Sequence, residues 1–199
     1  MLDRTIGKIA PAFVGRSLHA RVVFGLLAVA IIAASTAVAP GREGILGAGL
    51  GLLMLVIAVV DARRFIIPNE LVVATLVLGY VGAILETDGL WHGVAAATLR
   101  GAVLGLVFLS LRTLYAWWRG REGLGLGDVK LAAAAGVWLD WPVMPIAVEI
   151  AAFAAISLYI LGHVLGRRRI SATTRLPFGL FLAPAIWIAW LLQSWLDAF

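Results

Sequence analysis

Two aspartates stand out by what surrounds them. Asp61 directly follows the unbroken apolar run 52–60. Asp128 closes Gly123-Leu124-Gly125-Leu126-Gly127 and opens Val129-Lys130-Leu131-Ala132. A carboxylate at the edge of membrane-grade sequence is expensive to keep there, so it is a functional candidate by default. Two such carboxyls brought together would hold one proton between them, because both ionise together only at high cost. That pair can hydrolyse an amide. The ionised partner takes a proton from water as the water adds to the scissile carbonyl, and the protonated partner donates to the carbonyl oxygen. The chemistry needs no metal and no organic cofactor, and none is expected. Asp61 falls at the end of one apolar segment and Asp128 at the cap position of another, so helix dipoles place the charge on Asp128 and the proton on Asp61. The same residues could instead be snorkelling charges or helix caps. They could also form a proton or cation site in a non-enzymatic scaffold or small transporter. Transport calls for charges near mid-membrane on several helices, whereas here they gather at one face.

Other chemistries find less support. The chain has no cysteine, which excludes thiolate metal sites, iron–sulfur clusters and a cysteine nucleophile. His19, His92 and His163 are scattered, so no metal site is expected. No Gly-Lys-Ser/Thr follows the glycine-rich run, which argues against a phosphate loop. The net charge of +5 is expected to meet anionic lipid headgroups, with no nucleic-acid partner. Around the aspartates, Gly125 and Gly127, with Gly123, should let the backbone turn tightly and approach an extended peptide. Pro68 should stop the helix or shape a turn after Asp61, and Asn69 should cap the next one.

The elements that must position these residues are membrane helices. Of the 199 residues, 62% are apolar and 14% charged, with a mean hydropathy of +1.01. Soluble domains average about 45–50% apolar and about 25% charged. Apolar stretches at 22–39, 45–60, 71–85, 94–111, 129–139, 148–166 and 178–196 predict an all-α, polytopic transmembrane bundle of about seven segments. The fifth is short against the roughly 20 residues that a spanning helix needs. Solidly apolar segments argue against a β-barrel. With the N-terminus cytoplasmic, all but Arg42 and Arg100 of the 16 basic residues fall on the inner side. Omitting the short segment would export Arg167, Arg168 and Arg169, so charge supports its inclusion. Ala37-Val38-Ala39 resembles a signal-cleavage site, but the apolar stretch is long and Pro40 follows directly, so the first helix is expected to be retained. The whole of 1–199 reads as one membrane-embedded domain. Gly47/Gly51, Gly101/Gly105 and Ala132/Gly136 offer small faces for close helix packing. Trp91, Trp117, Trp118, Trp138, Trp141 and Trp195 sit where an interfacial belt is expected. Arg112 is expected to snorkel to headgroups. Arg100 has no explanation from sequence.

Three landmarks occur in order: Asp61 followed by Ile67-Pro68-Asn69; Gly125-Leu126-Gly127-Asp128-Val129-Lys130-Leu131; and Pro177-Phe178-Gly179. The set resembles the type IV prepilin peptidases, membrane aspartic proteases with a Gly-x-Gly-Asp motif. The resemblance runs from about 61 to 183 and leaves 1–44 uncovered. It implies Asp61 and Asp128 as the catalytic pair, supported by Gly125, Gly127, Lys130, Pro68 and Asn69. It further implies a prepilin or pseudopilin precursor as substrate, cut between a polar leader and an apolar helix at the cytoplasmic face of a bacterial inner membrane. Longer family members carry a cytoplasmic segment with paired Cys-x-x-Cys motifs, and many also N-methylate the trimmed pilin. This chain has no cysteine and no room for that segment, so zinc is not carried over and methyl transfer is not expected. Leu180 stands where a second proline is common.

Overall fold

The computed structural model describes residues 18–86, 90–121, 123–164 and 177–198. Among them are seven helices and no strand: α1 Leu18–Val38, α2 Arg42–Arg64, α3 Asn69–Glu86, α4 Leu90–Arg119, α5 Leu126–Trp138, α6 Val143–Val164 and α7 Gly179–Leu196. Five of them (α1, α2, α4, α6 and α7) are long and apolar enough to cross a membrane, and α3 is a shorter apolar helix. The chain is thus a polytopic helical bundle. Arg4, Lys8, Arg16, Arg167, Arg168, Arg169 and Arg175 lie outside the described residues, so the inner-side basic charge expected there does too.

One element is longer than the sequence reading had it, and one is short as expected. The fourth segment, expected at 94–111, runs for 30 residues and ends only at Arg119. At 1.5 Å per residue that is about 45 Å, against a hydrocarbon core of about 30 Å. Polarity after Leu111 does not break a helix. Gly120 does: it takes φ 66° while its N–H still reaches the Ala116 carbonyl at 2.9 Å. The fifth segment is as short as expected, 13 residues or about 20 Å. It survives because it is wrapped by other helices rather than lipid: it packs on α3, α4 and α7, and Leu131, Ala132, Ala134 and Ala135 are buried.

Small residues make that wrapping close. A Cβ on Gly101 would stand 2.8 Å from the Ala133 carbonyl oxygen, and one on Gly136 would stand 2.6 Å from the Arg100 oxygen. Backbones of α4 and α5 therefore touch directly, the arrangement that small-xxx-small faces permit. The Gly47/Gly51 face is used differently. It receives the rings of Trp190 and Trp187 from α7. The Trp187 indole N–H also donates to Ser35 Oγ of α1 at 3.1 Å. Trp138, expected in the interfacial belt, is instead buried, with its N–H donating to the Thr75 carbonyl of α3 at 3.0 Å. An indole end needs one acceptor when buried, and α3 supplies it.

Arg100 also finds its reason. Its guanidinium pairs with Asp140 at 3.0 Å, just beyond the end of α5, and its Nε approaches the Gly136 oxygen at 3.4 Å. The pair fastens α4 to the end of α5 that lies away from Asp128. It borders a cavity of about 390 Å³ closed by the α1–α2 turn and the end of α7.

Candidate active site

Asp61 is the fourth residue from the end of α2, and the helix carries on through Arg64 before Phe65 caps it. The Phe65 N–H returns to the Asp61 carbonyl at 2.9 Å with Phe65 in the left-handed region, φ 54° and ψ 35°. The helix therefore stops before Pro68. Pro68 precedes α3, where its carbonyl accepts the Val72 N–H.

Asp128 sits in the first turn of α5, with Gly125 rather than Asp128 at the N-cap. Its Oδ2 accepts the Gly125 N–H at 3.1 Å, which satisfies one of the donors left open at a helix start. The cap position expected for Asp128 is thus corrected by three residues. The dipole argument behind that expectation survives, since the third residue is still in the first turn.

The two carboxylates come from helices that pack little on each other, yet both line one cavity of about 230 Å³. Its other lining residues are Phe65, Ile66, Ile67, Asn69, Gly125, Leu126, Gly127 and Lys130. Asp61 and Asp128 are 5% and 8% exposed. Among the described residues they are the buried acidic side chains, the other buried polar ones being Ser35 and Thr75.

The start of α7 reaches Asp61. Phe178 caps that helix and packs its ring on Phe108 of α4, centroids 6.4 Å apart. The Leu180 N–H then donates to Asp61 Oδ2 at 3.0 Å. A Cβ on Gly179 would lie 2.8 Å from that same Oδ2 and 2.8 Å from Ile67 Cδ1. Glycine at 179 is what lets a helix N-terminus approach the carboxylate. Ile67 wedges on the other side against Gly127, whose Cβ would stand 3.1 Å from Ile67 Cβ. The residue between Asp61 and Pro68 thus spaces the three landmark segments.

Gly125 and Gly127 were expected to let the backbone turn tightly and approach an extended peptide; neither takes a positive φ. Among the described residues only Gly41 and Gly120 are glycines with positive φ, and Gly125 is extended at φ −74° and ψ 151°. Gly127 gives clearance to Ile67, and Gly123 to the Tyr115 ring. Asn69 was expected to cap α3. The helix instead begins at Asn69, whose Oδ1 accepts Lys130 Nζ at 2.9 Å and so ties α3 to α5 at the cavity. Arg112 was expected to snorkel. Its Nε donates to the Leu124 carbonyl at 3.0 Å, which holds the approach to α5 from α4. Among the described residues no group of three or more His, Asp or Glu side chains could hold a metal ion.

Comparison with known proteins gives concordant matches. A family model described as the type IV leader peptidase family matches residues 48–160. A protein of Burkholderia pseudomallei (strain K96243) named "Prepilin leader peptidase/N-methyltransferase" is 35% identical over 178 residues, covering 85% of this chain and 56% of that protein. Proteins of the same name are 35% identical in Pseudomonas aeruginosa, covering 68% of this chain and 45% of theirs, and 32% identical in Aeromonas hydrophila, covering 82% and 55%. The chain spans about half the length of these curated relatives. No solved structure matches it significantly.

Proposed function

Because the chain belongs to the type IV leader peptidase family, we propose that the Asp61–Asp128 cavity is the hydrolytic site of a membrane aspartic endopeptidase. Its substrate is a prepilin-like precursor, from which it removes a short leader. The observation that carries this reading is the convergence of the two buried acids on one cavity at one end of the bundle.

The pair holds one proton. Water placed between the carboxyls loses a proton to the ionised one as its oxygen adds to the scissile carbonyl. The protonated carboxyl gives its proton to the carbonyl oxygen. The tetrahedral intermediate then collapses: the C–N bond breaks, the leaving nitrogen takes a proton from one carboxyl, and one hydroxyl of the intermediate returns its proton to the other, so that the pair again holds one proton. The shared proton belongs to the dyad and not to either residue. The start of α7 bears on this point: its N-terminal dipole and the Leu180 N–H both face Asp61. They offset the helix-end preference that favoured charge on Asp128.

The cavity belongs to the cytoplasmic face. It lies at the end of the bundle that carries Arg63, Arg64, Arg112, Arg119, Arg121 and Lys130, and loops rich in Lys and Arg stay inside. A precursor anchored by its apolar helix presents its leader junction at that depth. The methyl transfer in the relatives' names is left with those proteins. The test is co-expression of the chain with a prepilin and mass analysis of the pilin's N-terminus. Wild type yields the trimmed chain, and Asp128→Asn leaves it uncut. A trimmed product from cells carrying Asp128→Asn would end the reading.

A further inference from the structure

Phe65 is the one non-glycine among the described residues with positive φ. Bulky side chains rarely occupy that region, and such outliers gather at functional sites. The backbone here would suit glycine or asparagine, yet the position holds a large aromatic. The cap also decides where the next side chains go. Ile67 is driven inward between Gly127 and Gly179, while Phe65 and Ile66 are left 54% and 43% exposed. Leu126, on the facing segment, is 51% exposed. All three line the cavity that holds Asp61 and Asp128.

We propose that Phe65, with Ile66 and Leu126, forms an apolar lip on which the first turns of the substrate's membrane helix rest, making Phe65 a specificity-determining residue. This rests on the peptidase reading of the cavity and names the part of the substrate that the lip selects. The commitment to that occupant follows from continuity. The lip is the wall of the cavity itself, so a chain whose scissile bond lies at the aspartates must pass its neighbouring residues over Phe65. The polar side chains that line the same cavity, Lys130 and Asn69, are left for the polar leader. A lip therefore sorts the two halves of the substrate by polarity.

The test uses binding, so that it is independent of cleavage. In a chain carrying both Asp61→Asn and Asp128→Asn, reconstituted in nanodiscs, the affinity is measured for two synthetic peptides. One is a prepilin leader joined to its apolar helix, and the other is the leader alone. Phe65→Gly and Phe65→Asn, both at ease with the backbone, are expected to weaken the long peptide at least tenfold. They should leave the leader-only peptide within twofold and the melting temperature no lower than the parent's. Phe65→Leu should restore the long peptide to within threefold. The lip is overturned if Phe65→Gly binds the long peptide within twofold of the parent, if both peptides weaken equally, or if the parent binds neither. Failure of the peptidase reading shows elsewhere, as continued cleavage by the single aspartate variants.

Discussion

Gly179→Ala is expected to cripple turnover while leaving the bundle folded. The added methyl would sit 2.8 Å from Asp61 Oδ2, 3.0 Å from Asp61 Cγ and 2.8 Å from Ile67 Cδ1. The end of Ile67 is flexible and can yield. The carboxylate can yield only by swinging away from the start of α7. That stretches the 3.0 Å bond from the Leu180 N–H. A hydrogen bond to a charged group contributes about 1.5–3 kcal/mol. Each 1.36 kcal/mol in a barrier is a factor of ten. If the bond orients Asp61 in the transition state, its loss lowers kcat by about tenfold to a hundredfold. Overpacking adds about 1–3 kcal/mol of destabilisation, partly returned because alanine favours helix over glycine. The assay is the initial rate of prepilin trimming at saturating substrate in membranes, with the melting temperature measured alongside. Gly25→Ala in α1 is the control, since nothing lies within 4 Å of that added methyl. A Gly179→Ala protein with kcat within threefold of wild type would refute the claim that the α7 start holds Asp61 in place.

Three other outcomes follow from the same contacts. Gly47→Ala drives a methyl into the Trp190 ring, so the melting temperature should fall by the equivalent of about 1–3 kcal/mol, and pairing it with Trp190→Leu should recover much of the loss. Lys130→Met and Asn69→Ala each remove the 2.9 Å tie between α3 and α5 and should slow trimming roughly threefold to tenfold, with the double variant no worse than either single in a mutant cycle. The chain has no cysteine, so single cysteines can report sidedness: one at Leu126 should resist a membrane-impermeant maleimide added outside cells, and one at Gln193, beside the opposite cavity, should react.

What could be read from sequence was local. A carboxylate ending an apolar run is visible without a fold, so Asp61 and Asp128 were identifiable one at a time, and three short landmarks carried the family. The helical class and the seven helices among the described residues followed from apolar stretches. The contacts that assemble the site are remote in sequence and left little trace. Leu180 meets Asp61 across 119 positions, so only the glycine before it hinted at a close approach. Arg100 looked anomalous because its partner, Asp140, lies beyond a helix that packs backbone to backbone on its own. Trp138 was misplaced because indoles suit both interfaces and cores, and composition cannot say that Thr75 offers it an acceptor. That Gly127 also gives clearance to Ile67, and Gly123 to Tyr115, depends on where those two side chains sit. Phe65 gave no signal at all, since nothing in Arg64-Phe65-Ile66 announces a left-handed cap.

The most direct measurement is the initial rate of leader removal by purified protein in proteoliposomes for wild type, Asp61→Asn, Asp128→Asn and the double variant. Residues that act as one unit lose activity together. Each single substitution should therefore abolish trimming to the level of the double variant, at least a thousandfold below wild type. Trimming by either single variant within tenfold of wild type, or losses that multiply in the double, would contradict a shared aspartate pair.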